Sequence, residues 1–101
     1  MGMDHGYYEV IYYDDRGIID LKVIGQYSGN KEDGKWTWWD ENGQIKSERN
    51  YKDGKLEGKV TEWYENGQKK LEVNYKDGEE DGKGTGWYEN GKKKWNCWGL
   101  C

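Results

Sequence analysis

Large apolar side chains in this chain occur in short alternating runs, each closed by a glycine-bearing pair. Read outward from Asn66-Gly67, Val60 falls opposite Val73, Glu62 opposite Leu71 and Gly58 opposite Tyr75. The intervening positions set Trp63 opposite Lys70, Thr61 opposite Glu72 and Lys59 opposite Asn74. A period of two predicts β-strands, here with one apolar face and one amphipathic face. The chain has no proline and shows almost no apolar spacing of 3.6 residues, so no helix is predicted.

The closing pairs predict how the strands connect. Asn42-Gly43, Asn66-Gly67 and Asn90-Gly91 each sit between Trp- and Tyr-bearing segments, a signal for two-residue type I′ hairpins, which need positive φ at both central residues. Asp53-Gly54 and Asp77-Gly78 give the same signal at the other strand ends. Extending the two-residue rule sets Trp39 opposite Lys46, Thr37 opposite Glu48 and Trp87 opposite Lys94. A first unit turning at Arg16-Gly17 sets Val10 opposite Val23 and Tyr12 opposite Leu21, with Tyr8 on the same face. The expected fold is all-β: an elongated, single-layer antiparallel meander of consecutive hairpins.

These hairpins repeat. Gly43, Gly67 and Gly91 are 24 residues apart, as are Trp39, Trp63 and Trp87; Gly34, Gly58 and Gly82; and Tyr27, Tyr51 and Tyr75. Residues 7–26 read as a degenerate first copy carrying two extra residues, and about 27–98 as regular copies. With 101 residues the chain is expected to be one domain, 1–101.

Composition narrows the function. Charged residues (36%) outnumber hydrophobic ones (33%), a balance that would leave a chain of small apolar residues disordered. Seven Trp and nine Tyr change that expectation, because each large ring buries about 150–250 Å². The formal charge of −4 argues against a phosphate-backbone footprint, so nucleic acid is not an expected partner. No apolar run approaches the roughly 20 residues a spanning helix needs, no signal segment is apparent, and neither Gly2 nor Cys101 sits in a lipidation motif. The expected location is cytoplasmic, with no membrane role.

Candidate chemistry is sparse. Cys97 and Cys101 lie about 13 Å apart if extended, too far for a disulfide, and could pair only if the tail turns back; His5 is the single histidine, so no metal site is expected. The acidic stretch Asp77 to Gly82 starts like a calcium loop, but Tyr88 stands at the twelfth position and the stretch matches the repeat's own turn at Asp53 to Gly58. Lys92-Lys93-Lys94 reads as a solvated edge. With one histidine, two serines and no phosphate loop, the chain is read as non-enzymatic and without a cofactor.

The strings Trp63-Tyr64-Glu65-Asn66-Gly67-Gln68 and Tyr75-Lys76-Asp77-Gly78, with the framework Gly54, Gly58, Gly67 and Gly78, Gly82, Gly91, resemble the MORN repeat. They are most similar to the bacterial variant in proteins labelled YwqK-like antitoxins. Trp36 and Val60 depart from its Gly-x-Gly element, which Gly82-Lys83-Gly84 keeps. The resemblance implies a curved single-layer sheet serving as scaffold or protein-binding surface, with phospholipid binding also proposed, and the antitoxin label implies a toxin partner. The candidate partner-binding residues are Trp39, Trp63 and Trp87 with Lys46, Lys70 and Lys94, a ladder of rigid rings each beside a lysine. The same ladder also serves, in a plainer reading, to stiffen a thin sheet. The rival functions are a self-associating scaffold and a small acidic inhibitor of an intracellular defence or effector enzyme.

Overall fold

The computed structural model describes residues 6–98, excepting the side chains of Lys83 and residues 96–98. The expectations for His5, Cys101 and the Cys97 thiol lie outside the described residues. Ten strands follow one another: β1 (Gly6–Tyr13), β2 (Ile19–Ser28), β3 (Lys31–Glu32), β4 (Gly34–Asp40), β5 (Ile45–Lys52), β6 (Lys55–Leu56), β7 (Gly58–Trp63), β8 (Lys69–Lys76), β9 (Glu79–Trp87) and β10 (Lys93–Trp98). They form one antiparallel sheet in the order β1-β2-β4-β5-β7-β8-β9-β10, with β3 on β2 and β6 on β5. The molecule measures 45 × 37 × 15 Å. Stacked sheets lie about 10 Å apart before their outer side chains are added, so 15 Å is one sheet with its two coats of side chains.

Two kinds of turn alternate along the chain. At Asp53-Gly54 and Asp77-Gly78 both central residues have positive φ, with Lys52 paired to Lys55 and Lys76 to Glu79, as type I′ requires. Gly29-Asn30 makes a third such turn. The three stack in register. The Gly54 N–H donates to the Glu32 carbonyl at 2.9 Å, and the Gly78 N–H to the Leu56 carbonyl at 2.9 Å.

The Asn-Gly turns at the opposite ends depart from the sequence expectation. The Tyr64 N–H donates to the Gln68 carbonyl (2.8 Å) and the Gly67 N–H to the Tyr64 carbonyl (3.0 Å), which closes a three-residue loop. Only Gly67, at φ 87°, is left-handed. This is a type I turn followed by a glycine bulge. Asn66 keeps negative φ because its side chain already serves the turn: Oδ1 accepts from the Gln68 N–H at 2.9 Å. The same loop forms at Asp14 to Ile18, Asp40 to Gln44 and Tyr88 to Lys92. In two of them an aspartate does the holding, Asp14 Oδ1 accepting from Arg16 and Ile18 and Asp40 Oδ1 from Asn42 and Gln44.

The longer loop shifts the neighbouring pairs by one. Trp63 pairs with Lys69 and Glu62 with Leu71, so Lys70 is the extra residue of a β-bulge. Trp39 likewise pairs with Ile45, and Trp87 with Lys93, leaving Lys46 and Lys94 as the extra residues. The expected pairs Trp39–Lys46, Trp63–Lys70 and Trp87–Lys94 are therefore each wrong by one position. Beyond the bulge the two irregularities cancel, and the expected pairs Val60–Val73, Thr61–Glu72, Gly58–Tyr75, Thr37–Glu48, Val10–Val23 and Tyr12–Leu21 all form.

With no second layer, the sheet supplies its own cover. Trp36, 5% exposed, lies across Gly25 on β2, where a Cβ would stand 2.0 Å from the indole. Tyr8 and Tyr27 meet that ring at 5.2 Å, Trp38 at 6.2 Å and Tyr51 at 6.3 Å. The Trp36 Nε1–H donates to the Gln26 carbonyl at 3.1 Å. Trp95 covers Gly86 in the same manner at the other end of the face. Val23 and Val60 are buried between.

Candidate functional site

The two faces handle charge differently. On the face opposite Trp36, Thr37, Glu48, Thr61, Glu72 and Thr85 form a row across five strands, each residue paired with the next. Thr37 and Thr61 are buried there. The carboxylates are matched by lysines: Lys35 to Glu48 at 3.7 Å, Lys59 to Glu72 at 3.7 Å, Lys69 to Glu72 at 2.8 Å, and Lys22 to Glu9 at 3.4 Å. The hydrogen bond from Lys69 holds the Glu72 carboxyl below its usual range, aided by the charges of Lys69 and Lys59.

Trp39, Trp63 and Trp87 are half-buried and two strands apart, a spacing of about 10 Å. Among the described residues none of these rings stacks on another. The cations on them are not the expected ones: Lys22 lies over Trp39 at 5.7 Å and Lys69 over Trp87 at 6.0 Å. Lys70 and Lys94, displaced by the bulges, lie instead over the tyrosine that follows each tryptophan, Tyr64 at 5.8 Å and Tyr88 at 5.7 Å. The tyrosine Tyr64 also ties neighbouring hairpins together, its hydroxyl donating to the Trp87 carbonyl at 2.7 Å.

The structure gathers Lys46, Lys70 and Trp63 around a cavity of 230 Å³, whose other walls are Leu21, Trp38, Ser47, Arg49 and Glu62. Trp39, Trp87 and Lys94 lie outside it. Trp38, Ser47 and Arg49 are not among the candidates drawn from sequence. Arg49 stacks on Trp38 at 4.9 Å, and among the described residues it has no ion-pair partner. The signal that finds these residues is departure from the repeat. Twenty-four residues on, Leu71 and Val73 occupy the positions of Ser47 and Arg49.

Each repeat thus runs from one type I′ turn to the next, through a glycine kink, a tryptophan strand, the bulged hairpin and a return strand. Residues 32–53 and 56–77 match the MORN repeat variant. The first matched MORN repeat covers β4 and β5, the second β7 and β8, and the 230 Å³ cavity lies where they meet. MORN repeats are in general protein- or membrane-binding modules. The hairpins β1–β2 and β9–β10 continue the same sheet on either side of the matched residues. No curated protein matches the chain.

Among the described residues no group of three or more His, Cys, Asp or Glu side chains could hold a metal ion. The acidic stretch from Asp77 to Gly82 is the two-residue turn Asp77-Gly78 running into the start of β9, and the Asp77 N–H donates to Glu57 Oε1 at 3.0 Å.

Proposed function

We propose that the chain is a non-catalytic protein-binding module of the antitoxin-like kind, which neutralises or tethers a partner in the cytoplasm. One observation carries the reading: among the described residues the aromatic face of a 15 Å sheet has no covering layer, yet presents rigid tryptophans and cations without ion-pair partners. Large rings and arginine are the side chains that dominate binding energy at protein interfaces. A flat surface of this kind can occlude a partner's active site, so the same reading accommodates an inhibitor of an effector enzyme. The test is capture of partners on the full chain, then reconstitution from purified components. A stoichiometric complex that suppresses the partner's activity supports the proposal; partners that all fail to reconstitute overturn it.

A second reading has its own observation. Edge strand β1 carries Tyr7, Tyr12 and Tyr13 at 66%, 50% and 59% exposure, an aromatic margin on an open sheet edge. Edges of this sort pair with other strands, which favours a self-associating scaffold. Sedimentation across a hundredfold concentration range separates the two, since a stable monomer removes the scaffold.

A further inference from the structure

We propose that the cavity between the two matched repeats is the docking pocket for an acidic segment of a partner protein, with a carboxylate seated against Arg49 between Lys46 and Lys70. This inference rests on the protein-binding reading and deepens it.

The first support is the cost of building the pocket. Ser47 and Arg49 interrupt the apolar face at positions where the next repeat has Leu71 and Val73. Ser47 is 8% exposed, and among the described residues its hydroxyl has no hydrogen-bond partner. A buried hydroxyl left unpaired destabilises the fold, and an aliphatic side chain at that position would avoid the loss. An interaction made outside the chain would account for it.

The second is charge. Among the described residues every ion pair on the sheet body is made by a glutamate of the opposite face, Glu9, Glu48 or Glu72. The cavity holds three cations, Lys46, Arg49 and Lys70, against one carboxylate, Glu62, and among the described residues none of the four is in a salt bridge. In a chain of formal charge −4, this is a local excess of positive charge on an apolar face.

The third is geometry. The Arg49 guanidinium carbon stands 4.9 Å from the Trp38 ring centroid, so the ring supports the group from one side, and a guanidinium offers a planar fork of N–H donors that suits bidentate pairing with a carboxylate. Lys46 and Lys70 reach the cavity because each is the extra residue of a bulge, a device that re-aims side chains. Trp38, Trp63 and Leu21 supply apolar wall for the residues flanking the carboxylate.

The test uses random twelve-residue peptides displayed on phage and selected against the immobilised full chain. Enrichment of aspartate or glutamate beside an apolar residue is expected. The best peptide, dye-labelled, should lose at least tenfold in affinity to Arg49→Gln and fivefold to Lys70→Gln by fluorescence anisotropy. Lys76→Gln, remote from the cavity, should stay within twofold. Ser47→Ala should raise the denaturation midpoint of the free protein while weakening the peptide threefold, opposite signs that a purely structural serine would not give. A consensus without acids, or an acidic one indifferent to Arg49→Gln in a protein with a parent-like far-ultraviolet spectrum, overturns the inference and leaves the protein-binding reading standing. No enriched peptide overturns both. Vesicles of phosphatidylserine and phosphatidylcholine that displace the peptide, and that lose binding on Arg49→Gln, overturn the assignment to a protein partner.

Discussion

Adding one methyl group at Gly25 tests the packing of the sheet, because two physical effects there have opposite signs. Glycine inside a strand costs about 0.5–1 kcal/mol relative to alanine, so on backbone grounds alone Gly25→Ala should stabilise the protein. The structure argues otherwise. A Cβ at Gly25 would stand 2.0–2.4 Å from Cδ2, Cε2 and Cε3 of Trp36. That ring has nowhere to go: it is hemmed by Tyr8, Tyr27, Trp38 and Tyr51 and hydrogen-bonded to Gln26. Forcing extra volume into a well-packed site costs roughly 1–3 kcal/mol, and the rigid indole puts this case near the upper end. The net expectation is a loss of about 2 kcal/mol, which for a domain of this size lowers Tm by roughly 8–16 °C. Urea and thermal denaturation followed by circular dichroism and indole fluorescence measure it. A companion cycle with Trp36→Leu removes the obstructing ring, and the alanine penalty should then shrink by at least about 1 kcal/mol through the coupling of neighbouring sites. A midpoint equal to or above that of the parent refutes the argument that the ring lies on the glycine.

Gly67→Val places a β-branched residue at φ 87° in open space, so backbone strain alone should cost more than about 1 kcal/mol by urea denaturation, and an unchanged midpoint would contradict the turn geometry. The two turn types predict different responses to glycine. Asp53→Gly should be neutral or stabilising because it relieves a left-handed aspartate at φ 51°. Asn66→Gly should cost about 1–2 kcal/mol for its bonds to Gln68 N–H and to the Glu89 carbonyl, so equal effects in the two variants would contradict the assignment. Because the Glu72 carboxyl is held below its ordinary value of 4.5, its contribution is complete above that pH and is lost as pH falls through the depressed value. The urea midpoint of Glu72→Gln should therefore fall less steeply than the parent's below pH 4.5, and matching slopes would remove the ion pairs from the account.

Which parts of this were legible in sequence follows from what each signal encodes. The recurring glycines, tryptophans and tyrosines gave the antiparallel hairpin order, and Val60–Val73 and Val10–Val23 pair as expected because the three-residue loop and the bulge beside it shift the register by one residue in opposite senses. The turn type was legible at Asp53-Gly54 and misread at Asn66-Gly67, because a dipeptide does not say whether its first residue is left-handed. A side-chain bond from Asn66 Oδ1 tips the choice, and the three-residue loop then expels Lys70 as a bulge. Two of the six candidate residues moved off their expected tryptophans for that reason: Lys70 sits on Tyr64 and Lys94 on Tyr88. The cavity residues Ser47 and Arg49 emerge only when repeats are laid on one another and their mismatches, rather than their matches, are read. Their proximity to Trp63 needed the strand order β4-β5-β7, which places two repeats side by side.

The claim at the centre of this account is that the aromatic face, where the two matched repeats meet, receives a protein partner. Cross-saturation transfer on the perdeuterated, ¹⁵N-labelled chain in complex with its reconstituted, protonated partner tests it residue by residue. The account predicts attenuation of amides in β4, β5, β7 and β8 around Trp38, Arg49 and Lys70, with the Trp38 and Trp63 indole N–H signals among the strongest affected. Attenuation confined to the outer strands β1 and β10, with those two indoles untouched, would contradict it and move the interface to the edges of the sheet.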